Sequence, residues 1–211
     1  GHYFFTMKLV HGYTLRELFN YRQRYAFSQL MNVIVQVGNA LAYAHSAGVV
    51  HRDIKPDNVL IGPYGEVLLL DWGLAKVWHR EDAPASTESK LTGLDIGVAM
   101  TSAGKLQGSV MYMSPEQIDR EPDIDARSDI YSLGAVMYEA LTGRTPFTGQ
   151  VVRKILEDVR DKVPDAPSHF GNIEVPKVLS ELTMSCLNKD PNDRPGSAEE
   201  VIRTIQHNWA P

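Results

Sequence analysis

The stretch VVHRDIKPDN, residues 49–58, sets His51, Arg52, Asp53, Lys55, Asp57 and Asn58 directly behind an apolar pair. Such a set can hold a proton acceptor, a cation and a metal ligand around one reacting group. A solvated turn would also be this polar, so the decision rests on what surrounds the loop. A further carboxylate, Asp71, follows the apolar run EVLLL at 66–70 and opens Asp71-Trp72-Gly73. As a turn-capping group at a strand end it would need no chemistry; beside the first loop it would add a second oxygen donor.

The elements that must position these residues can be read from periodicity. From Ser28 to Ala47 the apolar residues Leu30, Val33, Ile34, Val37, Leu41 and Ala44 recur every three or four positions, the stripe of an amphipathic helix. Gly48 is placed to end it. Short strands at 59–61 and 66–70 flank the turn Gly62-Pro63-Tyr64-Gly65, so the polar loop lies between a helix and a hairpin. Upstream, YFFTMKLV at 3–10 reads as a strand ended by His11-Gly12, with no hairpin partner. Thr14 and Glu17 have capping-box spacing and predict a short helix over about 15–21.

Downstream, residues 79–109 lack periodicity and predict a long irregular segment. DARSDIYSLGAVMYEAL, from Asp125 to Leu141, is apolar on most sides and predicts a helix at the domain centre, closed by Gly143. Helices are also expected over about 148–161, 176–187 and 197–208, the last opened by Ser197 with Glu200 three residues on. No repeat or linker divides the chain.

The 211 residues suffice for one large domain with a sizeable core, and 43% hydrophobic with 22% charged residues is ordinary globular composition. Twenty-one Lys and Arg against 26 Asp and Glu give a net charge of −5, which argues against a nucleic-acid surface. The single Cys186 forms no intrachain disulfide and favours a reducing compartment. Zinc-type spacing is absent. No apolar run or leader suits a membrane span or export, so the expectation is a soluble, cytoplasmic segment with no membrane contact of its own.

The motifs together resemble the eukaryotic-type (Hanks-type) protein kinases, and HRDIKPDNVLI, DWGLAK and YMSPEQ resemble bacterial serine/threonine kinases of that superfamily. The likeness runs from about Phe4 to Trp209, with three signatures in the family's order around a central SDIYSLG. It implies a mainly α large lobe, with the small β-rich lobe missing apart from its last strand and hinge at 1–12. The large lobe would be 13–211, its catalytic loop 51–58 and its activation segment 71–116. The implied reaction transfers the γ-phosphoryl of ATP, with Mg²⁺, to Ser or Thr hydroxyls of protein substrates. Asp53 would orient the hydroxyl and accept its proton, Lys55 would neutralise charge on the moving group, and Asn58 and Asp71 would be the metal ligands. Lys55 points to the Ser/Thr branch, and Ser109 retains a hydroxyl that can bridge Asp53 and Lys55.

Other positions follow from the same likeness. Arg52 would pair with a phosphate on the activation segment, at Thr101 or Ser102. Glu116 and Arg194 would form a buried ion pair between that segment and a late helix, and Asp129 would hold the catalytic-loop backbone. Met7, the backbone around Leu9, and Leu60 would line the adenine site. Trp72 stands where the family usually has phenylalanine, keeping a large aromatic against His51. The glycine-rich loop, the ATP-anchoring lysine and its glutamate partner have no counterpart among these residues, so the 211-residue piece alone is expected to transfer little phosphate. A pseudokinase scaffold and a small-molecule phosphotransferase remain the competing readings.

Overall fold

A computed structural model describes residues 10–21, 24–77, 108–169 and 174–208. The expected strand at 3–10 and nearly all of the irregular segment lie outside these residues. β1 (Tyr13–Thr14) leads directly into α1 (Leu15–Phe19). Thr14 caps that helix reciprocally: its hydroxyl accepts from Glu17 N–H at 3.1 Å while Glu17 accepts Thr14 N–H at 2.6 Å. The expected extension to residue 21 stops at Phe19, once Leu15 and Leu18 have been buried.

α2 (Phe27–Ser46) carries the apolar stripe as expected, burying Leu30, Val33, Ile34, Val37, Leu41 and Ala44. Gly48 takes φ 72° after it, a left-handed conformation that costs glycine little, and turns the chain into β2 (Val49–Val50). The polar loop follows. β3 (Val59–Ile61) and β4 (Val67–Leu69) form the expected antiparallel hairpin, with Val59 opposite Leu69 and Ile61 opposite Val67. β1 adds to its other edge, Tyr13 opposite Ile61, and β2 pairs antiparallel with β5 (Lys76–Val77). Strands of two residues have no period to detect, so the sequence pattern does not predict these pairings.

α3 (Pro115–Asp119) is a further element that periodicity does not resolve; Ser114 caps it, with Pro115 in its first turn. α4 (Ala126–Thr142) is the central helix, capped by Asp125 and closed by Gly143 at φ 78°. Its residues from Ser128 to Leu141 are all buried. α5 (Val152–Asp161) begins later than expected, because Gly149 and its neighbours stay outside the helix. α6 (Lys177–Cys186) packs on α4, and α7 (Ala198–Asn208) on α2, which also contacts α4. The result is the mainly α large lobe that the resemblance implied, with a continuous core from Leu15 to Ile205. Among the described residues, no helix is long and apolar enough to cross a membrane.

The α4–α6 crossing leaves no room for a methyl group. A Cβ at Gly134 would sit 2.5 Å from Cβ of Cys186. The Gly134→Ala variant is therefore expected to lose about 1–3 kcal/mol in urea unfolding despite its better helix propensity; an unchanged or raised midpoint would show that the crossing can relax.

Candidate active site

The catalytic-type loop is suspended from α4. Asp129 has no exposed surface, so its carboxylate must find donors within the protein. Oδ2 accepts His51 N–H at 2.8 Å and Oδ1 accepts Arg52 N–H at 2.8 Å. The His45 ring adds a third contact, Nε2 to Oδ2, at 2.9 Å. Arg52 adopts φ 70°, an uncommon conformation for a residue with a Cβ, as the backbone turns to present both amides to one carboxylate.

His51 passes this constraint on. Its Nδ1 accepts Asp53 N–H at 3.2 Å, and its Nε2 faces the Leu70 carbonyl oxygen at 3.0 Å. A carbonyl oxygen only accepts, so Nε2 carries the proton and the ring is neutral. Burial also pushes the His51 pKa below its ordinary value, against the pull of Asp129. Leu70 is tied again through its N–H to the Asn58 carbonyl oxygen at 2.8 Å, so both sides of the hairpin converge behind Asp71.

Asp53 meets Lys55 Nζ through Oδ2 at 2.6 Å, and Nζ also donates to Ser109 Oγ at 3.1 Å. Lys55 thus joins the carboxylate and the hydroxyl. Asn58 Nδ2 donates to the Asp53 carbonyl at 2.8 Å and to its Oδ2 at 2.9 Å. Those bonds orient Asp53 and fix the amide so that its oxygen remains for another partner. Asp71 sits at φ 61°, with Oδ1 accepting Gly73 N–H at 3.4 Å. Trp72 rests against the His51 ring, centroids 4.5 Å apart, and its indole N–H donates to the Leu69 carbonyl at 3.1 Å. Asn58 and Asp71 offer hard oxygens, a donor set suited to Mg²⁺ shared with phosphate oxygens.

Glu116 and Arg194 meet in a two-pronged pair at 2.6 and 2.8 Å, both side chains buried. The other guanidinium hydrogens go to the carbonyls of Asn188, Arg127 and Lys189. Arg194 lies in the loop after a 3-10 turn at Pro191–Asp193, and not on a helix as anticipated. Arg52 Nε is buried with no hydrogen-bond partner among the described residues. Leu60 is buried in β3, opposite Leu68 and Thr14. Met7, Leu9, Thr101 and Ser102 lie outside the described residues.

One cluster has no signature in the sequence. Arg16 on α1 donates to Glu139 Oε1 of α4 at 2.5 Å and also bonds the Tyr112 hydroxyl, which in turn donates to Glu139. The same guanidinium reaches Asp57 of the catalytic-type loop at 3.5 Å. Burial and Glu139 raise the Tyr112 pKa, so the phenol stays a donor. These residues are far apart along the chain, and only the capping box beside Arg16 hints that its neighbourhood is fixed.

Against known families, residues 1–210 match the protein kinase domain. Among curated relatives, the serine/threonine-protein kinase PknD of Protochlamydia amoebophila is 38% identical over 97% of this chain and 22% of its own length. Serine/threonine-protein kinase PknL of Mycobacterium tuberculosis is 40% identical over 92% of this chain and 44% of its own length. The chain therefore spans less than half of these relatives.

The His51 bonding pattern has a pH signature. Protonating Nδ1 would break the bond from Asp53 N–H, so the folded chain resists a proton that the unfolded chain accepts near pH 6.5. Stability attributable to His51 should be intact above that pH and decline as acidification proceeds toward the lower folded pKa. NMR titration of the His51 ring should find it neutral at pH 6.5; a ring already half protonated there would refute the assignment.

Proposed function

Because the chain belongs to the protein kinase family, we propose that its parent protein is a serine/threonine kinase that transfers the γ-phosphoryl of ATP to protein hydroxyls with Mg²⁺. The observation carrying this reading is the Asp53–Lys55–Ser109 contact, backed by the Asn58 bonds to Asp53. It ties a proton acceptor, a cation and the Asn58 amide into one network, and Leu70, whose N–H bonds the Asn58 backbone carbonyl oxygen, leads from it into Asp71.

In this reading the substrate hydroxyl approaches Asp53, which orients it and takes its proton as the new O–P bond forms and the bond to ADP breaks. Lys55 neutralises charge gathering on the transferred group, and Ser109 keeps that ammonium directed. Asn58 acts through both ends of its amide, the nitrogen holding Asp53 and the carbonyl oxygen serving as a metal ligand with Asp71. Bound Mg²⁺ would neutralise the phosphate oxygens and help align them. Residues 1–12 serve as the last small-lobe strand and hinge, where Met7 and the Leu9 backbone meet adenine over Leu60, and 13–211 form the large lobe. Glu116–Arg194 and Asp129 are supports that touch no reactant. The segment itself would be cytoplasmic.

Assay of the full-length protein with a Ser/Thr peptide separates this from its rivals. Asp53→Asn should lower phosphoryl transfer by about 10²–10⁴-fold while ATP binding persists. Equal rates for variant and wild type would overturn the role of Asp53; nucleotide binding without any wild-type transfer would indicate a scaffold, and transfer only to a small-molecule acceptor a different phosphotransferase.

Arg52 adds a regulatory element. Its buried Nε has no hydrogen-bond partner among the described residues, and its backbone oxygen is held by Gln117 Nε2 at 2.7 Å, so the guanidinium keeps bonding capacity for an anion. A phosphate on Thr101 or Ser102 would fill that place. Mass spectrometry of active full-length protein should find one of these residues modified; activity with both unmodified would rule this out.

A further inference from the structure

We propose that Trp72 is a positioning residue: its indole N–H locks the backbone of Asp71 in the conformation from which the carboxylate serves the metal. The inference rests on the kinase reading for the role of Asp71, and on this chain's own geometry for the lock.

Asp71 occupies φ 61° and ψ 67°, a left-handed conformation that is unfavourable for a residue with a side chain. Something must hold it there. On its N-terminal side the chain is fixed by Leu70 N–H on the Asn58 carbonyl and by the Leu70 carbonyl facing His51 Nε2. On its C-terminal side the backbone makes a 3-10 turn, with Ala75 N–H on the Trp72 carbonyl at 3.1 Å, and is next held where Lys76 and Val77 pair with β2. The weakest internal bond is the one Asp71 makes itself, Oδ1 to Gly73 N–H at 3.4 Å. Between Leu70 and that pairing the turn and the long Oδ1 bond are the segment's own restraints on Asp71.

The Trp72 side chain adds a further restraint. Its N–H reaches back three residues to the Leu69 carbonyl at 3.1 Å, closing a ring that contains Asp71. Leu69 is held in β4 opposite Val59 and the Trp72 indole rests on His51, so both ends of the ring are anchored. Packing does not explain the placement, since Trp72 is 40% exposed and its one ring partner among the described residues is His51. A phenylalanine could keep the His51 contact and would lose the ring closure. Tryptophan at this position thus replaces a purely packed aromatic with a hydrogen-bonded one.

The test compares full-length wild type with Trp72→Phe and with a variant carrying benzothienylalanine at 72, which keeps the bicyclic shape but has no N–H. Without nucleotide or metal, amide exchange at Gly73 and Ala75 should be about fivefold faster in both variants, as expected for losing one neutral hydrogen bond. The Mg²⁺ concentration giving half-maximal transfer should rise severalfold. Wild-type exchange in the benzothienyl variant would overturn the lock. Faster exchange with an unchanged Mg²⁺ requirement would overturn the positioning role. A wild type that transfers no phosphate would instead defeat the kinase reading, and the exchange rates would still decide whether the lock exists.

Discussion

A carboxylate with no exposed surface forces its surroundings into place. Stripped of water and left unpaired, Asp129 would cost several kcal/mol, so the backbone must deliver donors to it. It does so with the consecutive amides of His51 and Arg52 and with the His45 ring. The unusual φ at Arg52 follows from that demand, and the direction in which Asp53 leaves the loop follows from both. His51 then transmits the constraint, taking the Asp53 amide on one nitrogen and the Leu70 carbonyl on the other. One chain of bonds thus runs from the centre of the core to both acidic residues of the site. Moving the helix that carries Asp129 would require opening the core around residues buried on every side.

Much of this is legible in the sequence, for reasons that differ by element. The helix at 27–46 declares itself because a buried stripe needs the 3.6-residue period over many turns, and the helix at 126–142 because a long run apolar on most sides ends at Gly143. The loop at 51–58 is visible as an excess of chemistry-bearing side chains, and Asp71 as a carboxylate following an apolar strand. Their joint meaning comes from resemblance, since spacing alone does not say that Asn58 turns its amide toward Asp53. The two-residue strands are invisible because pairing across them depends on tertiary neighbours and not on local pattern. Arg16, Tyr112 and Glu139 escape notice for a like reason: each is an ordinary residue for its element, and only the fold makes them a cluster. Trp72 stands out as a departure, but the partner of its N–H, the Leu69 carbonyl, cannot be read from letters.

The charged groups divide by how completely their bonding is used. Arg194 commits its guanidinium hydrogens to Glu116 and to three carbonyls, and stacks near Tyr131 at 5.0 Å. Such closure leaves nothing for a ligand and suits a support. The site is built differently: Asn58 spends its nitrogen and keeps its oxygen, Asp71 is exposed, and Arg52 Nε has no partner among the described residues. Unused bonding capacity is a liability for stability and is the property a phosphate-handling site requires.

The same logic explains why a helix buried all round carries polar residues at all. Ser128, Asp129, Ser132 and Glu139 each contact a segment of the site: Ser114, the loop amides, the Tyr112 carbonyl and the Tyr112 hydroxyl. At about 100° per residue these four positions fall within roughly a 100° arc, one polar stripe on an otherwise apolar rod. Each group on it would lose a hydrogen-bond partner if the loop or the segment at 112–114 that it holds came away. The stripe therefore makes departure of the site costly for the core itself, and assembly of the core and alignment of the catalytic-type loop become a single event. A helix apolar throughout would pack as well and would leave the two segments without a fixed register on it.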